Sequence, residues 1–195
     1  MRKRTPKIYG VILAGGPSSR MGQDKACMCI ENESLLDRTK RLLESLGVKE
    51  VIVCRNEDGY LNDIYPNAGP MAGIQSALIK TKSAKVANTL LIMPIDMPFL
   101  DKKMMEDLLS VGNAMRCAVN YSDYQLPLYL PNNAENREFA KVVATSTEDR
   151  TIKRYLNIIN SAQVNSSEAE KLSSMNNKSD WQQVVSALTV KERSA

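Results

Sequence analysis

The stretch Ile8 to Lys25, IYGVILAGGPSSRMGQDK, constrains this chain more than any other. An apolar run from Ile8 to Leu13, broken only by Gly10, feeds straight into Gly15, Gly16, two serines, Arg20, Gly22 and Lys25. A short apolar run that stops at turn residues reads as a buried strand, so the pattern predicts a strand over 7–13 with a glycine-rich loop on its carboxyl end. Glycines let backbone N–H groups close on an anion, while Arg20 and Lys25 supply the opposing charge. Arginine grips two phosphate oxygens at once and lysine acts as a point charge. The loop therefore reads as a phosphate cradle. It lacks the GxxxxGK(S/T) spacing of a Walker A sequence, so the mechanics of that class do not transfer to it.

Beyond the loop the strand–helix theme repeats. Ser34 is placed to cap a helix over 35–46, where Leu35, Leu36, Leu42, Leu43 and Leu46 recur at helical spacing and Gly47 supplies the stop. Glu50 to Cys54 (EVIVC) reads as a second strand. A polar loop with Asn56, Asp58, Gly59 and Asp63 leads to Gly69 and to Pro70, which suits the first position of a helix over 70–82. Asn88 to Ile95 (NTLLIMPI) is a continuous apolar run, the mark of a central parallel strand, and it delivers Asp96 at its carboxyl end. Asp101 caps a helix over 102–110, with Gly112 as its end. In the second half, 115–120 and 125–130 are expected strands, Pro127 suggesting an edge or bulge. Helices are expected over 133–144 and 150–159, a short strand over 162–165, and a last helix from Ser179. The layout is α/β: one Rossmann-like, doubly wound domain over 1–195, with a mostly parallel sheet and helices on both faces.

Composition narrows the chemistry. The chain contains no histidine, which removes imidazole bases, Ser-His-Asp triads and histidine metal sites. Only 5% of residues are aromatic, and four of the basic residues behind the +4 net charge sit in the opening MRKRTPK, so no basic stripe for nucleic acid emerges. Cys27, Cys29, Cys54 and Cys117 match no zinc spacing and read as reduced thiols. No apolar stretch approaches a membrane span, and a reducing cytoplasm is the expected location, with neither nucleic acid nor membrane as partner.

In open α/β sheets ligands bind beyond the carboxyl ends of the strands. The Leu13–Lys25 loop, the Asn56–Gly69 loop with the helix start at Pro70, and Asp96 all fall there. Taken singly each has a plainer reading: Gly15 and Gly16 as a tight turn, Arg20 and Lys25 as solvated charges, Asp96 as a cap in PIDMP. Together they describe a nucleotide site with Asp96 as ligand to Mg²⁺, which is commonly held by one or two carboxylates plus phosphates and water.

LAGGPSSRMGQDKA, then GPMAGI, then PIDMPFL, in this order and at these separations, resembles the molybdenum cofactor guanylyltransferase family. The likeness spans nearly the whole chain and is dense through Leu100. It implies a nucleotidyltransferase fold and transfer of GMP from GTP to the molybdenum cofactor (molybdopterin), with Mg²⁺ as cofactor. It also implies that Leu13, Ala14, Gly15 and Gly16 contact the nucleotide, and that Arg20, Gly22 and Lys25 hold its phosphates. By the same likeness Asp63 lies on the nucleotide side, Gly69 and Gly73 lie near the guanine, and Asp96 binds the metal. Asn176 stands for the second asparagine of the family's N-x-N-T segment, with Ser174 in place of the first, and Cys54 stands where the family often has asparagine. Residues 1–100 would then form the nucleotide half and 101–195 the acceptor half, where Gln125, Pro127, Arg150 and Lys153 are equally readable as pocket or surface. Further partners would be other cofactor-biosynthesis proteins and acceptor oxidoreductases. A relative acting on another nucleotide or phosphorylated acceptor, and a non-catalytic molybdenum cofactor carrier, are the competing readings.

Overall fold

A computed structural model of the chain describes residues 6–15, 24–30, 32–84 and 86–192. The first strand, β1 (Ile8–Leu13), leaves Leu13 at its carboxyl end. A small antiparallel pair, β2 (Cys29–Ile30) and β3 (Glu33–Ser34), then leads into α1 (Leu35–Ser45). Ser34 is its N-cap, the hydroxyl accepting from the Asp37 N–H at 3.0 Å. Next come β4 (Val51–Cys54) and α2 (Pro70–Lys80), with proline at the helix start. They are followed by β5 (Asn88–Pro94), buried along almost its whole length, and α3 (Lys102–Met115). The later elements are β6 (Val119–Tyr121), β7 (Leu128–Asn132), α4 (Ala134–Ala144), α5 (Ile152–Ile158), β8 (Ala162–Val164) and α6 (Lys178–Glu192).

Among the described residues the strands form a six-stranded sheet in the order β4-β1-β5-β7-β6-β8. β4, β1 and β5 are parallel, β7 runs against both its neighbours, and β6 and β8 are parallel to each other. The sheet is thus mostly parallel, with helices on both faces. Side chains alternate along β1: Ile12 joins the core under α1, α3 and α6, while Tyr9 and Val11 join the core under α2, α4 and α5. No helix among the described residues is long and apolar enough to cross a membrane.

Three expectations need correction. Gly112 does not end α3, which continues to Met115 and stops at Arg116 in the left-handed region (φ 55°). Gly112 instead faces the Tyr129 ring, where a Cβ would lie 2.3 Å from ring carbons. The glycine lets the helix close on the sheet. The strand expected over 115–120 is correspondingly displaced to Val119–Tyr121. Pro127 marks neither edge nor bulge but precedes β7, which lies inside the sheet between β5 and β6. Pro131, within β7, sits beyond Tyr129, the last residue paired with β6 in that direction, so β6 demands no N–H there.

Candidate active site

The chain passes from β1 to β4 on one side and returns to β5 on the other, so the sheet's topology reverses at β1. The carboxyl ends meet there: the Ala14 N–H donates to Cys54 O at 3.1 Å and the Ile95 N–H to Leu13 O at 3.3 Å. Beyond them opens a cavity of about 430 Å³. Leu13, Ala14, Gly15 and Lys25 line it from the first loop, and Pro94 to Met97 from the end of β5. Asp123 to Leu126 form the facing wall, and Pro70, Ile152 and Ser174 complete the rim.

Lys25 and Asp96 stand 71 residues apart in sequence but join here, the ammonium donating to Asp96 Oδ2 at 3.1 Å. Lys25 Nζ also donates to the Met175 carbonyl at 2.7 Å. The Met175 N–H in turn bonds Asp96 O at 2.8 Å, so the segment before α6 is stitched to both residues. Their side chains remain 17% and 26% exposed, enough for either to meet a ligand in the cavity. Among the described residues no three His, Cys, Asp or Glu side chains cluster as a metal cage. The donor chemistry at Asp96, one hard carboxylate beside open space for phosphate and water, nevertheless fits Mg²⁺.

Lys25 opens a 3₁₀ turn, Lys25–Cys27, which Asp24 caps by accepting from the Ala26 N–H at 3.0 Å. The same carboxylate takes both terminal nitrogens of Arg55, Nη1 at 3.1 Å and Nη2. That hydrogen-bonded guanidinium holds Asp24 below the usual carboxylate range. The facing wall is built differently. The Tyr124 N–H bonds Tyr121 O at 3.1 Å, closing a turn that places Asp123 in the left-handed region (φ 66°). Buried Asn120 fixes that turn, donating to Tyr121 O at 3.1 Å and Tyr124 O at 2.8 Å while accepting from Ser161 Oγ at 2.9 Å.

Of the residues singled out in the sequence, Leu13, Ala14, Gly15, Lys25 and Asp96 come together at the cavity. Gly16, Arg20 and Gly22 lie outside the described residues. Asp63 does not line the cavity; its carboxylate accepts from Asn56 Nδ2 at 2.7 Å within the loop after β4. Gly69 precedes α2 with φ 57°, and its neighbour Pro70 is the one that reaches the rim. Gly73 is buried, where a Cβ would stand 3.0 Å from both Leu13 and Cys54, so it brings α2 against β1 and β4. Asn176 is exposed, its N–H bonded to Asp180 Oδ2 at 2.7 Å, while Ser174 lines the cavity. Gln125 lines the cavity, whereas Arg150 donates to Ser146 O and Asn67 O. Asp123, Tyr124, Leu126 and Ile152 were not singled out, for they come from loops and helix starts that carry no motif; the Met175 carbonyl belongs to the segment resembling N-x-N-T, where side chains alone were read.

A doubly wound sheet that delivers a lysine and an aspartate to an open cavity at its switch point defines a nucleotidyltransferase-type α/β protein. Residues 10–165 match the MobA-like NTP transferase domain, and the chain belongs to that family. It is 34% identical over 182 residues to the molybdenum cofactor guanylyltransferase of Xanthomonas euvesicatoria pv. vesicatoria, covering 90% of this chain and 93% of that one. A probable molybdenum cofactor guanylyltransferase of Opitutus terrae is 33% identical over 55% of this chain and 57% of its own length. Among solved structures, the molybdopterin-guanine dinucleotide biosynthesis protein A of Archaeoglobus fulgidus shares the fold with a TM-score of 0.74 at 18% identity, over 93% of this chain and 98% of that one. The 2-C-methyl-D-erythritol 4-phosphate cytidylyltransferase of Thermus thermophilus does so at 0.65 and 13%, over 92% and 98%.

Proposed function

We propose that this chain transfers GMP from GTP to the terminal phosphate of the molybdenum cofactor, giving molybdopterin guanine dinucleotide and pyrophosphate. The observation that carries this reading is the near full-length relationship to a molybdenum cofactor guanylyltransferase, 93% of whose length is covered. In the reaction a phosphate oxygen of molybdopterin forms a bond to the α-phosphorus of GTP, and the bond from that phosphorus to pyrophosphate breaks. The nucleophile is already anionic near neutral pH, so no general base is required, which suits a chain without histidine.

Backbone at Ala14 and Gly15 borders the nucleotide, and Lys25 neutralises charge that moves onto the departing pyrophosphate. Arg20 and Gly22 would assist at the phosphates, with Gly16 beside them. Asp96 would hold Mg²⁺, which when bound neutralises the triphosphate and orients it. Until nucleotide arrives Asp96 engages Lys25; a triphosphate gives the ammonium new acceptors. Asp63, Gly69, Gly73 and Asn176 would support the nucleotide side from positions set back from the cavity. Across it, Tyr124 offers an aromatic body, and Asp123 and Gln125 offer hydrogen-bonding ends suited to a planar pterin.

The test is a nucleotide screen with purified protein, Mg²⁺ and molybdenum cofactor, following pyrophosphate release and the dinucleotide product. GTP should be consumed in strong preference to CTP, UTP and ATP. Turnover with CTP instead would assign the chain to a cytidylyl reaction, and pterin binding without pyrophosphate would make it a carrier.

A further inference from the structure

We propose that Arg55 is a positioning residue for Lys25, acting through Asp24. The inference rests on the reading above in that it takes Lys25 as the phosphate-facing cation. Neither Arg55 nor Asp24 lines the cavity, so a role for them acts through Lys25. Yet the Asp24 carboxylate works in two directions. It caps the turn that begins with Lys25 by accepting from the Ala26 N–H at 3.0 Å, and it receives both terminal nitrogens of Arg55.

Arg55 is itself firmly set. Its side chain is only 13% exposed. Its N–H donates to Leu61 O at 3.0 Å at the end of β4, and Nη2 also reaches Glu57. Its Nε is buried and finds no partner among the described residues. A buried donor left unpaired is costly and uncommon. Here the guanidinium forgoes satisfying Nε and presents its terminal nitrogens to two carboxylates. A two-point arginine–carboxylate contact fixes direction as well as distance, which a lysine cannot reproduce. The outcome is a latch from the end of β4 to the turn carrying Lys25. Lys25 can then meet Asp96 at 3.1 Å and the Met175 carbonyl at 2.7 Å from a turn that does not drift.

A double-mutant cycle separates a positioning role from a merely structural one. Arg55→Lys, Lys25→Ala and the combined variant are compared with the unaltered protein for pyrophosphate release from GTP with Mg²⁺ and molybdenum cofactor as acceptor, at enzyme concentrations scaled to residual activity. Arg55→Lys should lower kcat by about tenfold in the unaltered background, because misplacing a catalytic group by a fraction of an ångström is enough for that. In the Lys25→Ala background the same change should cost less than about twofold, since the two act as one unit. Equal losses in both backgrounds, or no loss in either, would overturn the proposal. Should Arg55→Lys fail to fold, Asp24→Asn carries the same cycle, for it keeps an oxygen to cap the turn and removes the charge that Arg55 grips.

A second readout needs no turnover. Acylation of the Lys25 amine, resolved by peptide mass spectrometry, should speed up several-fold in Arg55→Lys while exposed Lys153 labels at an unchanged rate. Unaltered Lys25 labelling counts against the latch. Absence of pyrophosphate release from every nucleoside triphosphate by the unaltered protein, with molybdenum cofactor present, would instead remove the functional reading, leaving the labelling to decide the latch.

Discussion

Lys25 has three neighbours of different kinds: a carboxylate, a main-chain carbonyl and open cavity. An ammonium placed this way can exchange its protein acceptors for phosphate oxygens without leaving its site. Removing an electrostatic contact of this type commonly costs about 3–4 kcal/mol of transition-state stabilisation. Lys25→Ala and Asp96→Ala are each expected to lower turnover about 100-fold or more, measured as steady-state pyrophosphate release. Near-normal rates in both would remove these residues from the chemistry. Cys54 shows the opposite situation. Burial pushes its thiol up to about 12, so it should resist alkylation at pH 8 while exposed Cys29 is modified. Mass spectrometry of the native protein after iodoacetamide would check this. The sequence exposed Lys25 and Asp96 because each ends a recognisable strand-and-loop unit. Asp123 and Tyr124 stayed hidden because a cavity wall assembled from unrelated loops leaves no spacing to read.

At the scale of elements, the starts of α1 and α3 were legible from their caps, whereas α4, α5 and the last helix were expected from Asn133, Arg150 and Ser179 and begin at Ala134, Ile152 and Lys178. Ser34, Asp101, Asn133 and Thr151 each accept a backbone N–H in the first turn of α1, α3, α4 and α5. Capping is a local interaction, and a local sequence can announce it. Gly112 was misread because a helix stop and a close-packed glycine share one letter, and only the position of Tyr129 tells them apart. That ring is buried, with its hydroxyl bonded to Asn113 Oδ1 at 2.9 Å, and has little room to yield. Gly112→Ala is therefore expected to destabilise the protein by about 1–3 kcal/mol, despite the higher helix propensity of alanine. Chemical denaturation would show it, and an equal or raised midpoint would contradict the close packing. The small β2–β3 pair was also missed; at two residues a strand, it is too short to carry a periodic pattern.

At the scale of the whole molecule, two carboxylates, Asp24 and Asp101, are held charged by their partners and so link stability to pH. Arg55 holds Asp24 low. Burial pulls Asp101 upward, but this is outweighed by the Lys171 ammonium at 2.6 Å and the Met104 N–H. A carboxyl whose folded value is depressed contributes fully above its unfolded value, here 3.8, and loses that contribution as pH falls through the lower folded value. Thermal midpoints should accordingly be flat above about pH 5 and fall below about pH 4. Replacing Asp24 with asparagine should shallow that acid limb, and an unchanged limb would show that Asp24 carries no part of it. The doubly wound plan was legible because parallel strands buried on both faces are nearly continuous apolar runs. The single reversed strand, β7, was not, since a strand's direction is set by partners far away in sequence.

The Met175 segment gives this architecture one more property. The family match closes at Asn165, where a parsimonious boundary would be drawn. Yet Met175 braces Asp96 through its main-chain nitrogen and Lys25 through its carbonyl, returning to residues laid down 79 and 150 positions earlier. A chain severed after Asn165 would retain every strand of the sheet and both charged partners, and still be missing the strut between them. During synthesis the contacts that tie Lys25 and Asp96 together can thus be completed only once Met175 has been made.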